Sequence, residues 1–284
     1  MTAPTTTDMT VAPRVPPAEP KARFSDLFAA EWIKLWSLRS TPWAFLATVA
    51  MVLTSTVTIA LSDVQQYAQS DQTQRELFRT LGRVADSFPF TTATMLIAGA
   101  GAIGAMTILG EYTTGMIRTT FTAVPARSAV MAAKVAVITV ATTALGVVLA
   151  FASYGATQVV MSGQNLAVGP GHPGIPRMLV ASALLAPVCA LVGMAVAAVV
   201  RHSVATIVTT TALFFVLPTL LNDRSRLSAS FLHMTIQQAW GRIAQGQATG
   251  EEWPWTVGGA CVVLAVWSLL AATLAVFSAN KRDQ

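Results

Sequence analysis

The chain has 284 residues, of which 54% are apolar and only 11% charged, and its mean hydropathy is +0.58; water-soluble domains carry roughly 25% charged residues, so a soluble globular protein is excluded. A net charge of +5 and an isoelectric point near 9.7 suit nucleic acid, but the distribution of the cations between loops fits membrane orientation instead, and no nucleic-acid partner is expected. Cys189 and Cys261 each lie in an apolar run without a second ligand at metal spacing, which leaves them as core side chains without a disulfide.

Residues 1–23 are rich in Thr and Pro, lack the apolar h-region of a secretory signal, and are expected to form a disordered tail. The next segment, 24–40, has helical periodicity. Phe24, Leu27, Phe28, Trp32, Leu35, Trp36 and Leu38 share one face, with Asp26, Lys34 and Ser37 opposite, the pattern of a helix lying along a membrane interface. Glu31 falls on the apolar face, where a carboxylate is costly unless it is paired. Lys34 at i+3 is one partner within reach, and the charged stretch Leu109 to Lys134 is another.

Six apolar runs of spanning length occupy the region 41–280, at Trp43–Leu61, Phe90–Leu109, Val130–Phe151, Met178–Val200, Val204–Leu221 and Val257–Ala279. They lack strand alternation and read as helices. Lys134 is their one formal charge and lies near a run's end, from which its stem would snorkel to the headgroups. The fold class expected is therefore an all-α membrane protein: six transmembrane helices behind an interfacial helix. With the N terminus inside, eleven Lys and Arg residues fall on the cytoplasmic side against seven outside. The positive-inside rule thus places both termini, including the short tail 281–284, in the cytoplasm.

Between the runs, residues 62–89 carry a Thr73–Glu76 capping pattern and a short amphipathic helix with Leu77, Phe78, Leu81 and Val84. Residues 162–177 are full of turn formers. Residues 222–256 read as outward-side helices that cap the bundle, with Trp253 and Trp255 at the boundary. The second loop is different. Leu109 to Lys134 is a polar island between uncharged segments, and its helix-forming, charged content marks a docking surface. Glu111 is expected near the start of a short helix, with Met116 and Ile117 as an apolar plug, Arg118 as a reach to an acidic partner, and Pro125 as the stop.

The remaining motifs carry no catalysis. Gly99, Gly101 and Gly104 spell a dinucleotide fingerprint, but no strand precedes it and no acid follows at the ribose distance; small residues here suit close helix packing. His172, His202 and His233 are scattered and ligate no metal together. Intramembrane carboxylate pairs are absent, which disfavours a secondary proton-coupled transporter. No Gly-Lys dipeptide occurs, so the chain has no Walker A loop, and any ATPase must be another polypeptide.

Two stretches, AEWIKLWSLRSTPW at Ala30–Trp43 and GEYTTGMIRTTFTAVPAR at Gly110–Arg127, together with the six-span plan, resemble the membrane subunits of type-2 ABC transporters, especially short actinobacterial-type permeases. The resemblance covers about residues 24–280. It implies a connecting helix with Glu31, Trp32 and Lys34, and an ATPase-coupling helix with Glu111, Tyr112, Thr114, Gly115, Met116, Ile117 and Arg118. It also implies a second permease copy or a related permease, paired at the outer parts of the first and fifth spans, and two ABC ATPase subunits that bind the ATP and Mg. This chain would bind no cofactor of its own. The function so implied is an exporter permease in the bacterial cytoplasmic membrane, surrounded by lipid, moving an amphiphile, drug or peptide, as in antibiotic resistance. A membrane-embedded assembly or immunity protein that binds partners without transport is the alternative.

Overall fold

The computed structural model describes residues 23–77, 85–116, 120, 122, 126–163, 166–246 and 253–281; the tail expected over the first residues, Phe78, Leu81, Val84, Ile117, Arg118 and Pro125 lie outside them. In the described residues every regular element is helical. α1 is Phe24–Ser37, α2 Ser40–Gln69, α3 Gln72–Leu77, α4 Phe90–Thr114, α5 Arg127–Ser162, and α6 Gly174–Val200. α7 is Ser203–Leu220, α8 Arg226–His233, α9 Ile236–Ala244 and α10 Val257–Lys281. α2, α4, α5, α6, α7 and α10 are long and apolar enough to span a membrane.

Several of these helices outrun their apolar sequence. α2 continues past Leu61 to Gln69 and α5 past Phe151 to Ser162, because neither extension holds a proline and an established helix propagates cheaply. The polar stretch between these two spanning helices is accordingly shorter, residues 115–126, and among its described residues Met116, Thr120 and Thr122 are helical.

α6 is the centre of the bundle. In its most apolar window 78% of residues are buried, against 11% for α7, so α7 is peripheral while α6 is enclosed by α4, α5 and α10. Small residues make this enclosure possible. A Cβ on Gly104 would stand 1.8 Å from the carbonyl oxygen of Ala190, and one on Gly193 2.0 Å from that of Gly101; α4 and α6 therefore cross backbone to backbone, the geometry that dispersion favours where no hydrophobic effect acts between helices. Pro187 does not end α6. Its missing N–H frees the carbonyl of Ala183, and that oxygen faces Gly146 on α5, 2.2 Å from where a Cβ would lie, in the position of a weak Cα–H···O contact.

α7 accommodates Pro218 differently, through a π-helical turn over Ala212–Val216 just before the ring. The far face is closed by α8 and α9. Trp240 is completely buried between Phe88 and Phe90, with ring centroids 5.8 Å away in both cases, and its indole N–H donates to Ser182 Oγ at 3.1 Å.

Candidate functional site

The site lies at the opposite, proximal face, where α1 meets the bundle. α1 starts with Asp26 accepting from the Arg23 backbone N–H at 3.3 Å, a carboxylate at the positive end of the helix dipole. It buries one stripe at four-residue spacing: Leu27, Glu31 and Leu35. Leu27 packs with Val130 and Ala133 of α5, which brings the middle member of the stripe, Glu31, over the next turn of α5 and onto Lys134.

Glu31, Glu111 and Lys134 are 4%, 6% and 5% exposed, and no lone charge survives at such burial. Lys134 Nζ donates to Glu31 Oε2 at 2.5 Å and to Glu111 Oε1 at 2.7 Å. Lys34 Nζ donates to Glu31 Oε1 at 2.6 Å and lies 3.6 Å from Glu111 Oε1. The four side chains close a ring of alternating sign. Burial pushes the Glu31 carboxyl up, but Lys134 and then Lys34 outweigh it and hold it below the usual glutamate range. Lys34 also donates to Thr120 Oγ1 at 3.3 Å, so the ring touches the loop itself.

Two sequence expectations need correction. Lys134 does not snorkel to headgroups: it is buried, because two carboxylates within hydrogen-bond reach solvate it better than a stretched stem would. Glu111 does not sit at the start of a short helix. It lies in the last turn of α4, the negative end of the dipole, and the two lysines supply the compensation that the helix denies it. Glu31 takes both partners foreseen for it, its own Lys34 and the 109–134 segment.

Nor does one helix run through Gly115, although Met116 beyond it is helical again. α4 ends at Thr114, and Gly115 adopts a left-handed φ of 70° with its N–H bonded to Tyr112 O at 3.4 Å, a conformation that glycine enters without strain. Thr114 Oγ1 returns to Gly110 O at 2.7 Å. Met116 is exposed. Trp32 is half-buried on α1, stacked on Phe28 and edge-on to Trp36, each at 6.1 Å between centroids. Gly99 faces Thr48, and Gly101 faces Phe214 as well as Gly193; the fingerprint of glycines lies wholly inside α4.

Sequence reasoning missed Arg201. It caps α6 in a left-handed conformation, φ 54°, lies over the Tyr112 ring at 5.1 Å, and donates from Nη2 to Ser278 O at 2.8 Å. A lone arginine between two uncharged runs was the available signal. Next to the ring opens a cavity of about 270 Å³, whose walls include Glu31, Lys34, Thr41, Met106, Glu111 and Lys134. Among the described residues no three His, Cys, Asp or Glu side chains gather as a metal site.

Six spanning helices, an amphipathic helix laid across their proximal ends, and a buried ion ring at that boundary define a multi-pass membrane protein with no nucleotide-binding motif of its own. A family model described as ABC-2 family transporter protein matches residues 27–218, well over half of the chain, and the chain belongs to that family. No curated protein matches it. The family is a membrane component of ABC transporters and implies association with an ABC ATPase.

Proposed function

We propose that the chain is the permease of an ATP-driven exporter in the bacterial cytoplasmic membrane, with both termini inside and the 115–126 loop docked on a separate ATPase that holds the ATP and Mg. The observation that carries this reading is the way the loop is rooted. Glu111 and Tyr112, immediately before Gly115, are bound to α1, α5 and Arg201, so force applied to the loop reaches most of the proximal face. Met116, exposed beside Ile117, begins an apolar plug of the kind that anchors an interface, and Arg118 supplies a rim charge. The charge asymmetry of the loops supports the orientation. Two copies, or this chain with a related permease, would pair with two ATPase subunits, and the poorly buried α2 and α7 leave surface for that pairing. The cargo is an amphiphile, a lipid-like drug or a peptide.

The test is Ile117→Asp. Placing a carboxylate in a buried anchor costs about 2 kcal/mol or more of docking, so the variant inserts normally but loses co-purification with an ABC ATPase encoded beside this chain, and loses export or resistance in cells. Arg118→Ala weakens the complex in a salt-dependent way, and Thr113→Ala changes little. Full ATPase binding and export by Ile117→Asp would reduce the loop to a passive connection.

A further inference from the structure

An anchor for the loop would need one ion pair, whereas the ring has four members and three of its edges cross between elements. Lys134–Glu31 joins α5 to α1, Lys34–Glu111 joins α1 to α4, and Glu111–Lys134 joins α4 to α5. Three helices tied pairwise at one cluster cannot slide past one another there without breaking an ion pair. The three are also the ones that surround the loop: α4 leads into it, α5 leads out of it, and α1 touches it through Lys34 and Thr120. Arg201 reaches the same turn of α4 by a softer contact, a cation over an aromatic ring. Shear between these three helices and the α6–α10 side would fall there.

Resting on the permease reading, we propose that Glu31, Lys34, Glu111 and Lys134 are positioning residues that lock α1, the end of α4 and the start of α5 into one rigid body, so that ATPase-driven displacement of the 115–126 loop moves all three together. The property that matters is the alternation of sign around the ring, not the presence of any single pair. Exchanging one pair, Glu111→Lys with Lys134→Glu, keeps the net charge but sets a carboxylate at position 134 against Glu31 and an ammonium at position 111 against Lys34. Inverting all four positions restores every edge.

The test uses the full chain with its ATPase in phosphatidylethanolamine–phosphatidylglycerol nanodiscs, spin-labelled at Ser37→Cys, Thr113→Cys and Ser128→Cys in a background without Cys189 and Cys261. With the native ring, the three inter-label distances stay constant between nucleotide-free and vanadate-trapped states. In the neutral variant Glu31→Gln/Lys34→Met/Glu111→Gln/Lys134→Met they broaden, and permease-dependent stimulation of ATP hydrolysis falls at least about tenfold while the ATPase still co-purifies. The exchanged pair behaves like the neutral variant, and the fourfold inversion recovers to within about threefold of the native chain. If the neutral variant does not insert, the inversion decides: recovery supports the proposal, and an inserted but uncoupled inversion overturns it. A neutral variant with fixed distances and native stimulation overturns the proposal alone. A native chain that binds no ATPase overturns the permease reading, and this inference with it.

Discussion

The two ends of the bundle are held by opposite chemistry. At the proximal end four ions and Arg201 fix α1, α4, α5 and α6 by short, directional contacts. At the distal end Trp240, Phe88 and Phe90 fill a pocket, and hydrogen bonds between neutral groups, Trp240 to Ser182, Gln237 to Thr94 and Gln158 to Ser87, set orientation. Apolar packing tolerates small rearrangements as long as volume is kept. A buried ion ring does not, since breaking one member strands its partners at a cost of about 3–5 kcal/mol. The difference suits an end that receives force and an end that yields to it.

The largest effect that separates the two ends is expected at Trp240. Trp240→Ala should cost about 3–5 kcal/mol, as a completely buried aromatic does, and should lower thermal stability in detergent without affecting ATPase co-purification. Trp240→Phe keeps most of the packing and should cost less than Trp240→Ala, losing the bond to Ser182, about 1 kcal/mol, together with part of the ring's volume. Loss of ATPase binding in Trp240→Ala would show that the ends are not independent.

Arg201 sharpens the comparison from the proximal side. Its left-handed backbone costs about 1–2 kcal/mol in any non-glycine residue, while its guanidinium binds Tyr112 and Ser278. Arg201→Gly therefore loses the contacts but relieves the backbone, and should be more stable than Arg201→Ala by about 1 kcal/mol in thermal unfolding. Equal stability of the two variants would mean that the left-handed turn carries no strain.

A third effect is one of pH, and its sign differs between the ends. Asp86, in the short 3-10 turn Ala85–Ser87 of the distal loop, is pushed up to about 7 by burial and then by the neighbouring Asp63 carboxylate. The folded chain then holds a proton that the unfolded chain has released, so this contribution falls as pH rises from the ordinary aspartate value of 3.8 to about 7 and is flat above it. Glu31 is depressed below 4.5, so its contribution is present above 4.5 and is lost as pH falls through the lowered value. Hydrogen exchange should show the amides around Asp86 better protected at about pH 5 than at about pH 8, and Asp86→Asn should remove the difference. The amides of α1 should lose protection only in acid. Matching trends at both ends would contradict the assignment.

How much of this is legible in the sequence follows from how local each signal is. The spans and the amphipathic α1 are periodicities readable within one segment, and Glu31 stands out because it breaks such a periodicity. The ring is only half visible. Lys34 lies three residues from Glu31, but Lys134 is 103 residues away, and nothing in a linear pattern places it at that turn of α5. Glu111 is misplaced by any reading that begins a helix at the island, whereas α4 carries straight through Gly110 and stops only at Gly115. Charge balance is the unused clue: a lone lysine in an apolar span calls for a carboxylate, and Glu31, out of place on an apolar face, and Glu111, two residues past the second span, are both acids on the side assigned to it.

In the proposed permease the segment after Gly115 is the surface on which the ATPase acts. The direct measurement is site-specific photo-crosslinking in native membranes, with the probe placed at Met116 in one chain and at Gly171, in the loop between the third and fourth spans, in another. The Met116 probe is expected to crosslink the ABC ATPase and the Gly171 probe is not. Capture of the ATPase from Gly171, or no capture from Met116 in a chain that exports normally, would contradict the proposal.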